Sequence, residues 1–169
     1  ISTLYEGTTG IQALDLLGRK VLLGTRGKCV RDFTGEILRF AKPHALSRGP
    51  LGKMARSLIW RSLQWNLLTT RLMLRSAKDR DQVGASSVDY LMYSGYVMMG
   101  YHWALQAAKA SELLGSGAGQ APEEFYRTKI HTAEFYFARL LPRADAHQRL
   151  AMASTKSLLQ IDKAHMQID

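Results

Sequence analysis

Helix-breaking residues stand far apart in this chain, and the segments between them carry apolar side chains at the helical period. From Pro50 to about Lys78, one side is lined by Met54, Leu58, Trp65, Leu68 and Leu72. From Ser86 to about Leu114 the same spacing runs through Tyr90, Val97, Trp103 and Leu105. Recurrence at three and four residues marks one face of an α-helix. No segment alternates apolar and polar residues between turns, so no sheet is expected.

The remaining breaks divide the rest in the same way. Thr9 and Gln12 have the spacing of a capping box, which starts a helix at Thr8 or Thr9. Ile11, Leu14, Leu17, Val21 and Leu22 carry it to about Leu23, and Gly24 and Gly27 flank Arg26 in a hinge-like loop. Val30, Phe33, Ile37, Leu38 and Ala41 form a second amphipathic helix that Pro43 stops. Pro50 suits a first helical position, and Ser86-Ser87-Val88-Asp89 reads as a capping box opening the fourth helix. Gly115–Gln120 reads as a flexible linker, and Pro122, Glu123 and Glu124 as a helix start. Phe125, Ile130, Phe135, Phe137, Leu140 and Leu141 lead to Pro142, and Leu150, Met152, Leu158, Leu159 and Ile161 make a last helix. Short connections between long helices predict an all-α, antiparallel up-and-down bundle over residues 50–163, with an N-terminal helical extension. Trp65, Leu68, Val97, Phe135 and Leu158 are expected in its core.

With 169 residues, 46% of them hydrophobic, the chain can build one core or a small core with an appendage. It begins at Ile1 without a leader-like stretch and reads as a piece of something longer. No apolar run is long enough for a membrane span. Cys29 is alone, which excludes an internal disulfide framework and a cysteine metal cluster and fits a reducing compartment. The net charge of +9 is uneven: residues 19–80 hold 15 of the 23 Lys/Arg but only three acids, Asp32, Glu36 and Asp79. Such a half suits nucleic acid, an anionic membrane or a phosphate-bearing ligand. No nucleic-acid reader motif accompanies it. The favoured reading is a surface that faces an acidic region of the longer chain.

Other residue groups favour structural roles. His131 and Glu134 are three apart on a helix, but no partner motif supplies the further carboxylates of a helical metal site, so no metal is expected. His102 reads as a core or semi-buried histidine, Gly95 and Gly100 as points of close helix approach, and Met92, Met98 and Met99 as core filler. Arg71, Arg75 and Lys78 share a face that is solvated by default. P-loop, Rossmann, nucleophile-elbow and zinc patterns are absent.

Glu6 lies in the turn immediately before the first helix, where backbone N–H groups and the positive dipole end are exposed. Such a turn can hold a carboxylate and offer donors to a carbonyl or phosphate oxygen. Tyr5-Glu6-Gly7-Thr8, followed by Ile11-Gln12, resembles the active-site loop of the acyl-CoA dehydrogenases. The resemblance implies that Glu6 is the base removing the α-proton of an acyl-CoA, that Gly7 lines the thioester, and that Thr8, Thr9 and Gly10 lie along FAD, whose flavin takes the β-hydride. A second stretch, Ala133-Glu134-Phe135-Tyr136-Phe137-Ala138-Arg139-Leu140-Leu141-Pro142-Arg143, is similar to the extra C-terminal helical domain of one branch of that family. That branch includes the 3-methylmercaptopropionyl-CoA dehydrogenases. Glu124-Phe125-Tyr126 and Tyr93-Ser94-Gly95-Tyr96 fit it as well.

Together the resemblances imply residues 1–25 as the end of a catalytic helical domain and 26–169 as an extra helical bundle domain. They further imply an electron-transfer flavoprotein as electron acceptor, a homodimer and a bacterial cytoplasmic setting. The chain by itself is expected to bind no FAD and to be inactive. An alternative from another class is a non-catalytic helical module for docking or oligomer contacts.

Overall fold

The computed structural model describes residues 8–159, and every element among them is helical. α1 (Thr9–Leu14) continues without a break into a π-helical segment, Asp15–Gly24. α2 (Lys28–His44), α3 (Pro50–Ser76), α4 (Asp81–Ser116) and α5 (Glu123–Phe135) follow. α5 runs on through a π-helical stretch, Tyr136–Leu140, and a 3₁₀ turn, Leu141–Arg143, into α6 (Ala144–Ala151), and α7 (Lys156–Leu159) is a single turn.

The 36-residue α4 is the central element; α1, α3, α5 and α6 all pack on it. Contacts across each hairpin run in opposite chain directions. Phe33 meets Trp65, and Gly27 lies against Thr69 and Met73, so α2 and α3 are antiparallel. Trp65 bonds Tyr90 while the earlier Arg61 bonds the later Tyr93. Lys129 meets Gln106, Tyr136 meets Tyr96, and Ala151 meets Ser86. The antiparallel all-α bundle expected from the periodicity is therefore present, with α2 as a full member.

The inner face of α3 follows the sequence pattern closely: Met54, Leu58, Trp65, Leu68 and Leu72 are all buried. Polar groups inside are mostly paired. The Tyr90 hydroxyl receives the Trp65 indole N–H at 3.1 Å and shares a 2.7 Å bond with Thr69. Desolvation pushes the Tyr90 phenol up to about 12. Gly18 lets the π-helical segment after α1 approach α4 closely, since a Cβ there would sit 3.3 Å from Val83.

Several expectations are corrected. α4 begins at Asp81, so the Ser86 capping pattern lies inside the helix, where the Ser86 hydroxyl instead donates to the Ala151 carbonyl at 2.6 Å. Phe135 (58% exposed) and Leu158 (63%) are outside the core. Phe135 stands about 200° round α5 from the buried Ala133, Tyr136 and Leu141 hold the inward positions, and the break after Ala151 separates Leu158 from α6. Ile11 and Leu14 point outward, leaving Ala13, Leu17, Val21 and Leu22 to anchor the first helix. Met92, Met98, Met99, Gly95 and His102 lie on the solvent side of α4, and Gly95 has open space around it; only Gly100 meets close neighbours, Leu141 and Tyr136. Pro43 sits within the last turn of α2, where its ring no longer interrupts a long helix. α4 extends into the expected linker and stops where Gly117 adopts φ 66°, a left-handed ending that glycine accepts without strain. The last predicted helix is broken at Met152–Thr155, and its Ile161 lies outside the described residues.

Candidate functional site

The described part of the predicted site is the N-terminal edge of α1. Thr8 is the N-cap residue. Its carbonyl accepts the Gln12 backbone N–H at 2.7 Å, and its hydroxyl accepts the Gln12 side-chain amide at 3.2 Å. The helix starts where the sequence placed it, but the expected Thr9–Gln12 capping box is not formed: Gln12 turns instead to the Thr8 hydroxyl, and no side chain among the described residues caps the first N–H groups. Thr9 and Gly10 are exposed, and a Cβ on Gly10 would meet nothing within 4 Å. The N–H groups of this first turn have no intrahelical acceptor, and the helix dipole adds positive potential. Tyr5, Glu6 and Gly7 lie outside the described residues.

This edge supplies donors for carbonyl or phosphate oxygens, and the open space at Gly10 lets a flat ring lie close to the backbone. Its position is fixed from behind by the buried Ala13 and Leu17.

The other candidate groups do not form a chemical site. His131 is exposed on α5, and Glu134 lines a groove of about 340 Å³ with Pro50, Lys53, Met54, Ser57 and Phe137. No group of three metal-ligating side chains is present among the described residues. Arg75 donates to the Met152 carbonyl at 2.6 Å and so serves the chain break after α6.

The polar groups that sequence reading missed join distant segments. Arg61 and Asp145 form a two-armed ion pair between α3 and α6. The Arg61 hydrogen bond holds the Asp145 carboxyl below its ordinary range, and the same bond raises the Arg61 guanidinium. Asp89 on α4 pairs with His147 Nδ1 at 2.8 Å, and Tyr96 stacks on that imidazole. Each pair spans more than fifty residues of sequence, so no local spacing announces it.

Comparison with known proteins decides the family. The acetyl-CoA dehydrogenase C-terminal-like profile matches residues 33–162. This chain belongs to that family. The matched segment begins inside α2 and runs through α7. A 3-methylmercaptopropionyl-CoA dehydrogenase of Ruegeria pomeroyi is 34% identical over 158 residues, covering 89% of this chain and 25% of that protein. A broad-specificity linear acyl-CoA dehydrogenase of Mycobacterium tuberculosis is 30% identical over 171 residues, covering 97% of this chain and 28% of that protein. The chain therefore spans about a quarter of the length of these curated relatives. Among the described residues, no helix is long and apolar enough to cross a membrane.

Proposed function

We propose that this chain is the C-terminal portion of an FAD-dependent acyl-CoA dehydrogenase and that Glu6 is its proton-abstracting base. The observation that carries the reading is the family match over residues 33–162, preceded in sequence by a Tyr-Glu-Gly-Thr loop whose threonine caps α1. Residues 1–25 complete the catalytic domain in this reading, and residues 26–169 are the appended bundle.

The α-proton of an acyl thioester is weakly acidic, so its removal needs a carboxylate placed on one face of the acyl chain. Glu6 suits this role when a water-poor site raises its basicity. The Glu6 backbone N–H donates to the thioester carbonyl, whose oxygen gains charge as the proton leaves. Gly7 leaves room for the thioester, and Thr8, Thr9 and Gly10 line the cofactor edge. When held there, FAD would supply the acceptor for the β-hydride, with an electron-transfer flavoprotein as the partner that reoxidises it. The enzyme works as a homodimer in the bacterial cytoplasm, and the helical bundle takes no part in the chemistry.

The test is spectroscopic. The full-length polypeptide should purify yellow and bleach when a saturated acyl-CoA is added, whereas the 169-residue chain should be colourless and reduce no dye with acyl-CoA. A full-length protein without flavin, or an active 169-residue chain, would contradict the proposal.

A further inference from the structure

The outer face of α3 differs from an ordinary solvated helix face. Trp60 is 59% exposed, Leu63 54%, Leu67 46% and Leu74 65%. At about 100° per residue these four side chains fall within roughly 60° of arc, and they extend about 21 Å along the helix. Lys53 and Arg56 precede them on nearly the same arc, Arg71 lies beside the stripe between Leu67 and Leu74, and Lys78 stands just past the end of α3. The 27 residues of α3 contain no acid. The Lys53, Arg71 and Lys78 side chains have no hydrogen-bond or ion-pair partner among the described residues, and Arg56 spends one N–H on the Ala45 carbonyl. A solvated face carries polar groups at such positions, often of both signs. This one is an apolar stripe with Lys53 and Arg56 before it, Arg71 along its edge and Lys78 beyond it, the composition of an interface core with its rim.

The relatives indicate what covers it. This chain aligns over 89–97% of its own length but over only 25–28% of theirs. In a protein of that length, most of the surface able to meet α3 belongs to the rest of the polypeptide. We infer that the outer face of α3 docks on the dehydrogenase body of the same polypeptide, against an apolar patch flanked by carboxylates. The inference rests on the reading under Proposed function. The leucines and Trp60 supply the buried area, and the four cations fix its orientation.

The experiment is zero-length carbodiimide cross-linking of the full-length polypeptide, prepared as a mixture of isotopically light and heavy chains, with peptide mapping. Lys53 and Lys78 should couple to carboxylates upstream of Ile1, within one label. Combining Leu63→Glu with Leu67→Glu should lower those yields by at least about tenfold, because two carboxylates would be forced into an apolar contact. Both residues are exposed in the isolated fold, so the variant leaves the bundle core intact. Links across labels would assign the face to a second copy and overturn the proposal. So would the absence of any upstream link from Lys53 or Lys78 in the unmutated protein. A yellow, acyl-CoA-reducible protein without upstream links would overturn the docking face alone. A colourless protein with the links intact would sustain the docking face and overturn the flavin chemistry.

Discussion

The guanidinium of Arg61 on α3 grips the carboxylate of Asp145 on α6 with both arms, although Arg61 is only 7% exposed and the two residues stand 84 positions apart. The pair joins the third helix to the end of the bundle. Its solvent contact is one-sided: the Asp145 side chain is half exposed. Gln64 takes a further Arg61 N–H, and the Tyr93 hydroxyl donates to the Arg61 carbonyl.

Asp145→Asn should therefore destabilise the fold by about 2–3 kcal/mol, less than the roughly 3–5 kcal/mol for a wholly buried pair, because water reaches the carboxylate. Replacing both partners, Arg61→Met with Asp145→Leu, should cost less than the single change. Urea unfolding midpoints of the three proteins decide this.

The pair also sets a pH dependence. The Asp145 carboxyl is held below its ordinary value in the folded state, chiefly by the Arg61 hydrogen bond. Its contribution is present above an unfolded value of about 3.9 and is lost as pH falls through the folded value. The Arg61→Met, Asp145→Leu protein should lose this part of the acid sensitivity when unfolding is followed below neutral pH.

At the alkaline end the sign reverses. Burial raises the phenols of Tyr90 and Tyr136 to about 12, and burial raises that of Tyr93 further. Stability from these neutral hydroxyls is complete below an unfolded value of about 10 and is lost as pH rises toward their folded values. Phenolate absorbance from these three tyrosines should appear together with loss of helical circular dichroism. Tyr90→Phe should remove that coupling at one site and cost about 1–3 kcal/mol, because the Trp65 indole N–H loses its acceptor.

Two glycines inside helices should respond in opposite directions to alanine. Gly95 faces open space, so Gly95→Ala should stabilise by about 0.5–1 kcal/mol through helix propensity alone. At Gly52 an added Cβ would lie 1.9 Å from the Ser47 carbonyl oxygen. Gly52→Ala must move the turn between α2 and α3 and should lower the melting temperature.

The helical class and the inner face of α3 were legible because period, proline placement and amphipathicity agree from Met54 to Leu72. α4 was harder to read. It carries apolar residues on every side, so periodicity could not tell Val97, which is buried, from Met98 and Met99, which face solvent. The Ser86 pattern misled because a serine able to cap its own helix can equally cap a neighbour, and here the Ala151 carbonyl takes the bond. Phe135 stands two residues after the buried Ala133, about 200° round α5, which turns it outward. At the candidate site, the helix start at Thr8 or Thr9 was legible from the Thr9–Gln12 spacing, although the capping box itself is not formed. The role of Glu6 rests on resemblance, because a single carboxylate before a helix has no chemistry of its own until other walls desolvate it.

The most direct measurement is single-turnover flavin reduction in the full-length polypeptide carrying Glu6→Gln. The nearly isosteric amide should leave FAD and acyl-CoA bound, while the α-proton loses its base. With saturating acyl-CoA, reduction should slow by roughly 10²–10⁴-fold, and Glu6→Asp should recover part of the rate. Reduction of the Glu6→Gln flavin at the wild-type rate would place the base elsewhere and contradict the account.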